Sequence, residues 1–402
     1  MSVSISPTDE SGLVAAVTEA AANHEPLSVL GAGSKMAMLR PVQAAHSLST
    51  RNLTGITLYS PHELIITARA GTPLADIEAT LAERGQHIIA EPLDLRALFG
   101  SREQQTIGGV VATNLSGPRR VAWGAMRDHL LGIRVVTGRG EAIRSGGRVL
   151  KNVTGLDLCK LLAGSHGTLG VITEITLKVL PAPEGVGTLV IPGLDGAAAV
   201  ALLSAALGSP YGVSAAAWLP KEAAARIPAL APLSRSVALM RIEDFAASVS
   251  YRTAKLRDDV GQADAEILGD AASRSVWRAI RELAPLVAEP NDAVWRVSVR
   301  PTAGPTVLRT LEGESGARGY LDWGGGLVWL TGPATAEAHS AVSVAARTAG
   351  GTWMLMRAPE PLRVAVDVVP PEPEVLARIT RRVKEALDPH SILNPGRIYA
   401  GL

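Results

Sequence analysis

Thr106-Ile107-Gly108-Gly109-Val110-Val111-Ala112-Thr113-Asn114-Leu115-Ser116-Gly117 is the stretch on which the reading of this chain turns. Its glycines remove Cβ obstruction, so backbone N–H groups can converge on an anion, and Thr113, Asn114 and Ser116 add neutral polar groups. Two further Gly-rich segments carry the same chemistry. Leu30-Gly31-Ala32-Gly33-Ser34-Lys35 follows a short β-type run, and Ala163-Gly164-Ser165-His166-Gly167-Thr168-Leu169-Gly170-Val171-Ile172-Thr173 leads into another. A single GxG is ordinarily a tight turn. Several such segments in one half of a chain suit a dinucleotide diphosphate. Neither common nucleotide fingerprint fits, because Met36 stands where GxGxxG needs its third glycine and no GxxxxGK[ST] occurs.

Outward from these segments, the first half alternates helical and β-type patterns. Ser6, Pro7, Asp9 and Glu10 predict the capped start of a helix carrying Leu13, Val14 and Val17. Thr72-Pro73 opens a second helix, with Leu74, Ile77 and Leu81 as its stripe and Gly85 as its stop. Residues 27–30, 56–59, 64–68, 133–137 and 171–179 read as strands. The Pro/Gly cluster Leu180 to Gly185 marks a junction. Six of the 7 tryptophans lie beyond it, so the second half builds a different core. There, helical stretches (197–207, 272–286, 334–346) alternate with strands (236–242, 293–299, 327–331), the rhythm of a ferredoxin-like helix-covered sheet. A last helix, 374–387, precedes Leu393-Asn394-Pro395-Gly396-Arg397. No internal sequence repeat is evident. The expected class is α+β, with domains at 1–182 and 183–372 and a tail, 373–402, returning to the first.

The chain has 402 residues, 47% hydrophobic, with Lys+Arg 39 against Asp+Glu 38. A net charge of +1 argues against a general nucleic-acid binder, which needs a concentrated basic excess. The one cysteine, Cys159, allows no internal disulfide and no cluster held by four thiolates of this chain. The most apolar run, 196–208, is shorter than the ~20 residues a spanning helix needs, and the N-terminus lacks signal-peptide features. These features lead to the expectation of a cytoplasmic chain, able to dock at the inner face of a membrane through a partner.

Taken together, the three Gly-rich segments resemble the FAD-binding domain of the vanillyl-alcohol oxidase/p-cresol methylhydroxylase (PCMH) type, over about the first 180 residues. A closer resemblance is to the E-type FAD-binding subunits of bacterial glycolate oxidases, which are flavin and iron–sulfur enzymes of three kinds of subunit. It is carried by TIGGVVATNLSGPRR, MRDHLLGIRVVTGRGE, LKNVTGLDLCKLLAGSHGTLGVITEI, LDWGGGLVWL and LNPGRIY. The resemblance implies noncovalent FAD with its diphosphate between two loops. Gly31, Ala32, Gly33 and Ser34 would supply donors from the first loop; Ile107, Gly108, Gly109, Thr113, Asn114 and Gly117 would supply the second. Gly170, Val171 and Ile172 match the backbone beside the adenosine and ribityl region, and Asn394 matches a residue near the isoalloxazine. Leu30 stands where many relatives carry Arg, and the first loop has no histidine for a covalent flavin link.

The resemblance implies further that a complex with a second flavin subunit and an iron–sulfur subunit oxidises glycolate or a similar 2-hydroxy acid, this chain relaying electrons or stabilising the assembly. The alternatives are a self-sufficient FAD-dependent 2-hydroxy-acid or alcohol dehydrogenase and a structural subunit with a vestigial flavin site. Oxidising a 2-hydroxy acid needs a cation for the carboxylate and a base, or a metal with a base, for the hydroxyl proton. The 2-hydroxy-acid dehydrogenases of this superfamily often carry a close His pair in the cap. None of the 8 histidines here pairs with another at metal-ligand spacing, so no metal is expected and no catalytic residue is assigned. Among single residues, Asp157 reads as a helix cap, Cys159 as buried, and Arg127-Asp128 as an ion pair or cap. Arg119-Arg120 reads as exposed charge or a phosphate or partner contact. Trp323 and Trp329 could wall a flavin or pack a core, and Arg296 could place a cation in the cap.

Overall fold

A computed structural model describes residues 3–148, 155–286 and 288–402. Residues 150–154 of the LKNVTG motif lie outside them. The first half contains three sheets, the smallest a two-stranded pairing of Gln86–His87 with Leu180–Pro181. Three parallel strands, Val3–Ile5, His46–Ser49 and Leu27–Leu30, lie with His46–Ser49 in the middle. The helix Glu10–Asn23 buries Leu13, Val17 and Ala20 with Leu27, Leu48, Ile392 and Leu393. Asp9, not Ser6, caps this helix. Its extended backbone lets the carboxylate accept from the Gly12 N–H at 2.7 Å, leaving residues 3–5 free to pair as a strand.

The second sheet has five antiparallel strands in the order Ile56–Ser60, Ile65–Arg69, Val171–Lys178, Leu130–Val136, Ala142–Gly146. Its inner face packs on helices Leu74–Ala82, Ile107–Thr113 and Leu158–Leu162. Leu64 has φ +56°, which delays its strand by one residue. The Thr106 segment differs more from the sequence reading, because it is not all loop. Thr106 caps a helix, and the Val110-Val111 run drives that helix into the core. Gly108 permits the close packing, since a Cβ there would lie 2.8 Å from the Ala70 Cβ.

Beyond the junction, one eight-stranded antiparallel sheet is built from two βαββαβ units. Strands Gly185–Pro192, Val213–Leu219, Val237–Asp244 and Glu266–Leu268 form the first unit. Ala293–Ser298, Arg318–Asp322, Leu327–Gly332 and Thr352–Arg357 form the second. Each has ferredoxin-like strand order, and the two abut through a Trp218–Leu321 pair. The duplication lies in the fold and leaves no sequence repeat, because a buried strand asks only for apolar residues. The final helix, Glu374–Leu387, hands the chain back to the first half, where Leu393 bridges Leu27. No helix of the described residues is long and apolar enough to cross a membrane.

Charged side chains clamp the two halves together. Arg241, 2% exposed, donates to both oxygens of Glu91 at 2.9 Å, and Arg119 reaches Glu243 at 3.0 and 2.6 Å. Burial alone would raise the Glu243 carboxyl, but Arg241 and Arg119 outweigh it and hold it down at about 2. Burial likewise opposes ionisation of Glu91, and the same two guanidiniums keep it below its usual range.

Candidate functional site

A cleft opens between the three Gly-rich segments and the C-terminal tail. Residues 30–35 form one wall, Thr106, Gly108, Gly109 and Thr113 a second, and His166 to Ile172 the floor, with Asn394 and Arg397 closing the end. Of the residues that the resemblance assigns to the flavin, Gly31, Ala32, Gly33, Ser34, Gly108, Gly109, Thr113, Gly170, Val171, Ile172 and Asn394 line this cleft. Ile107, Asn114 and Gly117 do not. The Ile107 side chain is fully buried in the core, Asn114 accepts from the Arg127 N–H at 3.1 Å, and the Gly117 N–H donates to Glu91 O at 2.9 Å.

Donor chemistry separates the two expected loops. The amides of residues 31–35 donate to no protein group among the described residues. Gly33, at φ +83°, turns this run into a concave row of free N–H groups, an arrangement suited to anions. The second segment offers fewer. Its Ile107 and Gly108 amides are already committed to Thr72 O and Ala70 O at 2.9 and 2.8 Å, and Gly109 N bonds Thr106 Oγ1. Its glycines serve close packing and wall shape more than donation. A Cβ at Gly109 would meet only Thr106 Oγ1, at 3.4 Å, so the missing side chain there leaves the cleft open.

Charge in the cleft is one-sided. Lys35 and Arg397 line it, and among the described residues no carboxylate does. Lys35 donates to Gln105 Oε1 at 3.1 Å, and burial, partly offset by Asp94, pulls its ammonium down to about 8. Arg397 spends donors on the carbonyls of Lys35, Met36 and Arg40, and burial beside Arg363 brings it to about 10. Burial, then Arg397 and Lys35, lower His166 to about 3, so this imidazole is neutral at physiological pH. Sequence reasoning passes over Lys35, His166 and Arg397 as site residues. All three stand inside quoted motifs, so the signal for them is position within the motif.

Asn394 is a tie. Its Oδ1 accepts from Val29 N at 2.7 Å, and its Nδ2 donates to Val29 O and His166 O at 3.1 and 2.8 Å. It thereby pins the first strand, the floor and the tail together. Lys384 does similar work from behind, donating to Thr168 O, Asp388 Oδ2 and Leu393 O at 2.7, 2.7 and 2.9 Å. Both His166 and Asn394 have positive φ, at +52° and +44°, and strained backbone of this kind gathers at functional sites.

The single residues sort clearly. Asp157 caps its helix by accepting from Lys160 N at 3.2 Å. Cys159 is buried, which pushes its thiol up to about 11. Asp128 closes the turn at Ala125 N, 2.8 Å away, and Arg127 lies 3.8 Å from it. Arg119 is not exposed charge but half of the interdomain clamp, whereas Arg120 is exposed. Trp329 is fully buried core. Trp323 lies outside the cleft, with Arg120 and Arg296 over its ring at 5.1 and 4.9 Å.

Comparison with known proteins agrees with this geometry. Residues 1–146 match the model of an FAD-binding domain. Glycolate oxidase subunit GlcE of Escherichia coli is 35% identical over 397 residues, 97% of each chain. The chain belongs to the GlcE family of glycolate oxidase subunits. It is thus an FAD-binding oxidoreductase of α+β fold. Glycolate oxidase subunit GlcD of Bacillus subtilis is 32% identical over 149 residues, covering 38% of this chain and 32% of that protein. Among solved structures, a 4-ethylphenol oxidase from Gulosibacter chungangensis superposes with a TM-score of 0.71 at 14% identity, covering 99% of this chain and 89% of that one. That similarity concerns the fold alone.

Proposed function

We propose that this chain is the FAD-binding subunit of a glycolate oxidase-type complex, with noncovalent FAD lying in the cleft between the three Gly-rich segments of domain 1–182 and the tail 373–402. The observation that carries this reading is the free amide row at residues 31–35 beside Lys35 and Arg397, in a cleft whose described lining holds no carboxylate. Such a site takes a diphosphate. Gly31, Ala32, Gly33 and Ser34 donate to it, Gly109 and Thr113 form the opposite wall, and Gly170, Val171 and Ile172 run beside the adenosine and ribityl part. Asn394 keeps the isoalloxazine end in register by tying Val29 to His166. When bound, FAD supplies two-electron redox chemistry; the chain orients it and shields it from water.

The family kinship supports a second flavin subunit and an iron–sulfur subunit as partners, oxidising glycolate or a similar 2-hydroxy acid to the 2-oxo acid. One buried cysteine is consistent with the clusters sitting on a partner. Any hold on a membrane would run through those partners. The test is the visible absorption of the purified full-length chain. The expected result is a flavin spectrum at one FAD per chain, with all flavin released on acid precipitation. A colourless chain that added FAD cannot reconstitute refutes this reading, and flavin retained in the precipitate refutes the noncovalent mode.

A further inference from the structure

A second cavity, open to solvent, adjoins the flavin cleft. The two share His166, and the second is lined also by Leu39, Arg296, Trp353, Met354 and Tyr399. Among the described residues its one cation is Arg296, on the strand Ala293–Ser298, and no carboxylate lines it. The Arg296 Nε is shut off from solvent without a hydrogen-bond partner. Arg296 as a whole is half-buried, and an Nε shut off from solvent is costly unless something pairs with it.

The surroundings hold that guanidinium in place without neutralising it. Its Cζ lies over the Trp323 ring, 4.9 Å from the centroid. Trp323 is fixed at φ +54°, strained for an aromatic residue, by Asp322 Oδ1 accepting from its N–H at 2.7 Å and by its Nε1 donating to Gly117 O at 3.0 Å. The nearby acid, Asp322, is fully buried, and that burial raises it to about 7. Arg296 itself is lowered to about 10 by burial and by Arg120, and so stays charged at neutral pH. His166, uncharged on the shared wall, leaves the cationic end of the cavity to Arg296.

We propose that this cavity is a carboxylate-binding subsite, with Arg296 as its cation, for a small 2-hydroxy or 2-oxo acid held beside the flavin cleft. Arg296 offers a planar fork of donors that fits a carboxylate through two parallel bonds. Leu39, Trp353 and Met354 give an apolar wall suited to a short carbon chain. The inference rests on the flavin reading of the neighbouring cleft and adds that this chain, not only a partner, holds the acid.

The test is calorimetric titration of glycolate, oxalate and glycolamide into the FAD-loaded full-length chain at pH 7. One glycolate or oxalate per chain should bind, and glycolamide, which lacks the charge, should bind at least about tenfold more weakly. Arg296→Met should weaken glycolate binding by at least about tenfold, and Arg296→Lys, which keeps a point charge, by less. A loaded wild-type chain that binds no anion overturns the proposal, as does equal affinity for glycolamide or an Arg296→Lys chain indistinguishable from wild type. If Arg296→Met fails to fold, the glycolamide and Arg296→Lys comparisons still decide. Because the flavin spectrum is read separately, a failure here leaves the FAD assignment standing.

Discussion

Replacing Gly31 by Ala should damage the flavin site without touching any charged group. Gly31 has no positive φ, so the penalty is purely steric: the new Cβ would lie 2.3 Å from Thr106 Oγ1. Ordinary contact starts near 3.4 Å, so something must move by about 1 Å. If Thr106 rotates away, its bond to Gly109 N is lost and the helix Ile107–Thr113 loses its cap, at about 1 kcal/mol. If the 31–35 loop backs out instead, its free amides leave their concave arrangement. Either relaxation adds overpacking strain, for a total of about 2 kcal/mol. We therefore expect the thermal midpoint of the FAD-free chain to fall by about 2 °C. The FAD dissociation constant, read by flavin fluorescence, should rise by at least about tenfold, the equivalent of 1.4 kcal/mol. Thr106→Gly removes the obstruction and keeps a usable cap within a few tenths of a kcal/mol. The double variant Gly31→Ala/Thr106→Gly should therefore recover to the level of Thr106→Gly alone. A Gly31→Ala chain that binds FAD as wild type does, or a double variant no better than Gly31→Ala, would refute the contact as the cause.

Two further perturbations separate charge from shape. Lys35, at about 8 in the free cleft, should be raised by a bound diphosphate, so binding takes up a proton above that pH. FAD affinity should accordingly weaken as pH climbs from 8 to 10, and Lys35→Met should flatten that slope in a fluorescence titration. Glu91→Gln leaves Arg241 short of one charge in the buried clamp and should cost about 3 kcal/mol in unfolding experiments. Both clamp carboxylates have lowered folded values, Glu243 at about 2. Their stabilisation is therefore present above the unfolded value of about 4.5 and lost as pH falls towards 2. Glu91→Gln should shed part of that acid sensitivity, and an unchanged acid-unfolding midpoint would count against the clamp.

What can be read in the sequence is the local signal, and what cannot is set by distant partners. The strand Leu27–Leu30 and the helix Glu374–Leu387 have the bounds that periodicity and punctuation indicate, because their ends are fixed by neighbouring residues. The Thr106 helix is hidden, since two glycines weaken the helical signal and the compensating contact with Ala70 is a tertiary one. The same holds at the site. A Gly-rich pattern announces an anion cleft, but it cannot say which amides are free. Residues 31–35 keep theirs only because the strand ladder ends at Leu30, whereas Ile107 and Gly108 give theirs to residues 72 and 70. Arg296 is the least legible of all. In sequence it is one arginine among many, on a strand beside a tryptophan. Its meaning comes from Trp323, a carboxyl at residue 322 that burial keeps partly protonated, and a cavity wall shared with His166, which only the folded chain brings together. Physical function is concentrated where a side chain is held ready and left unpaired, and that is a property of the assembled surroundings rather than of any motif.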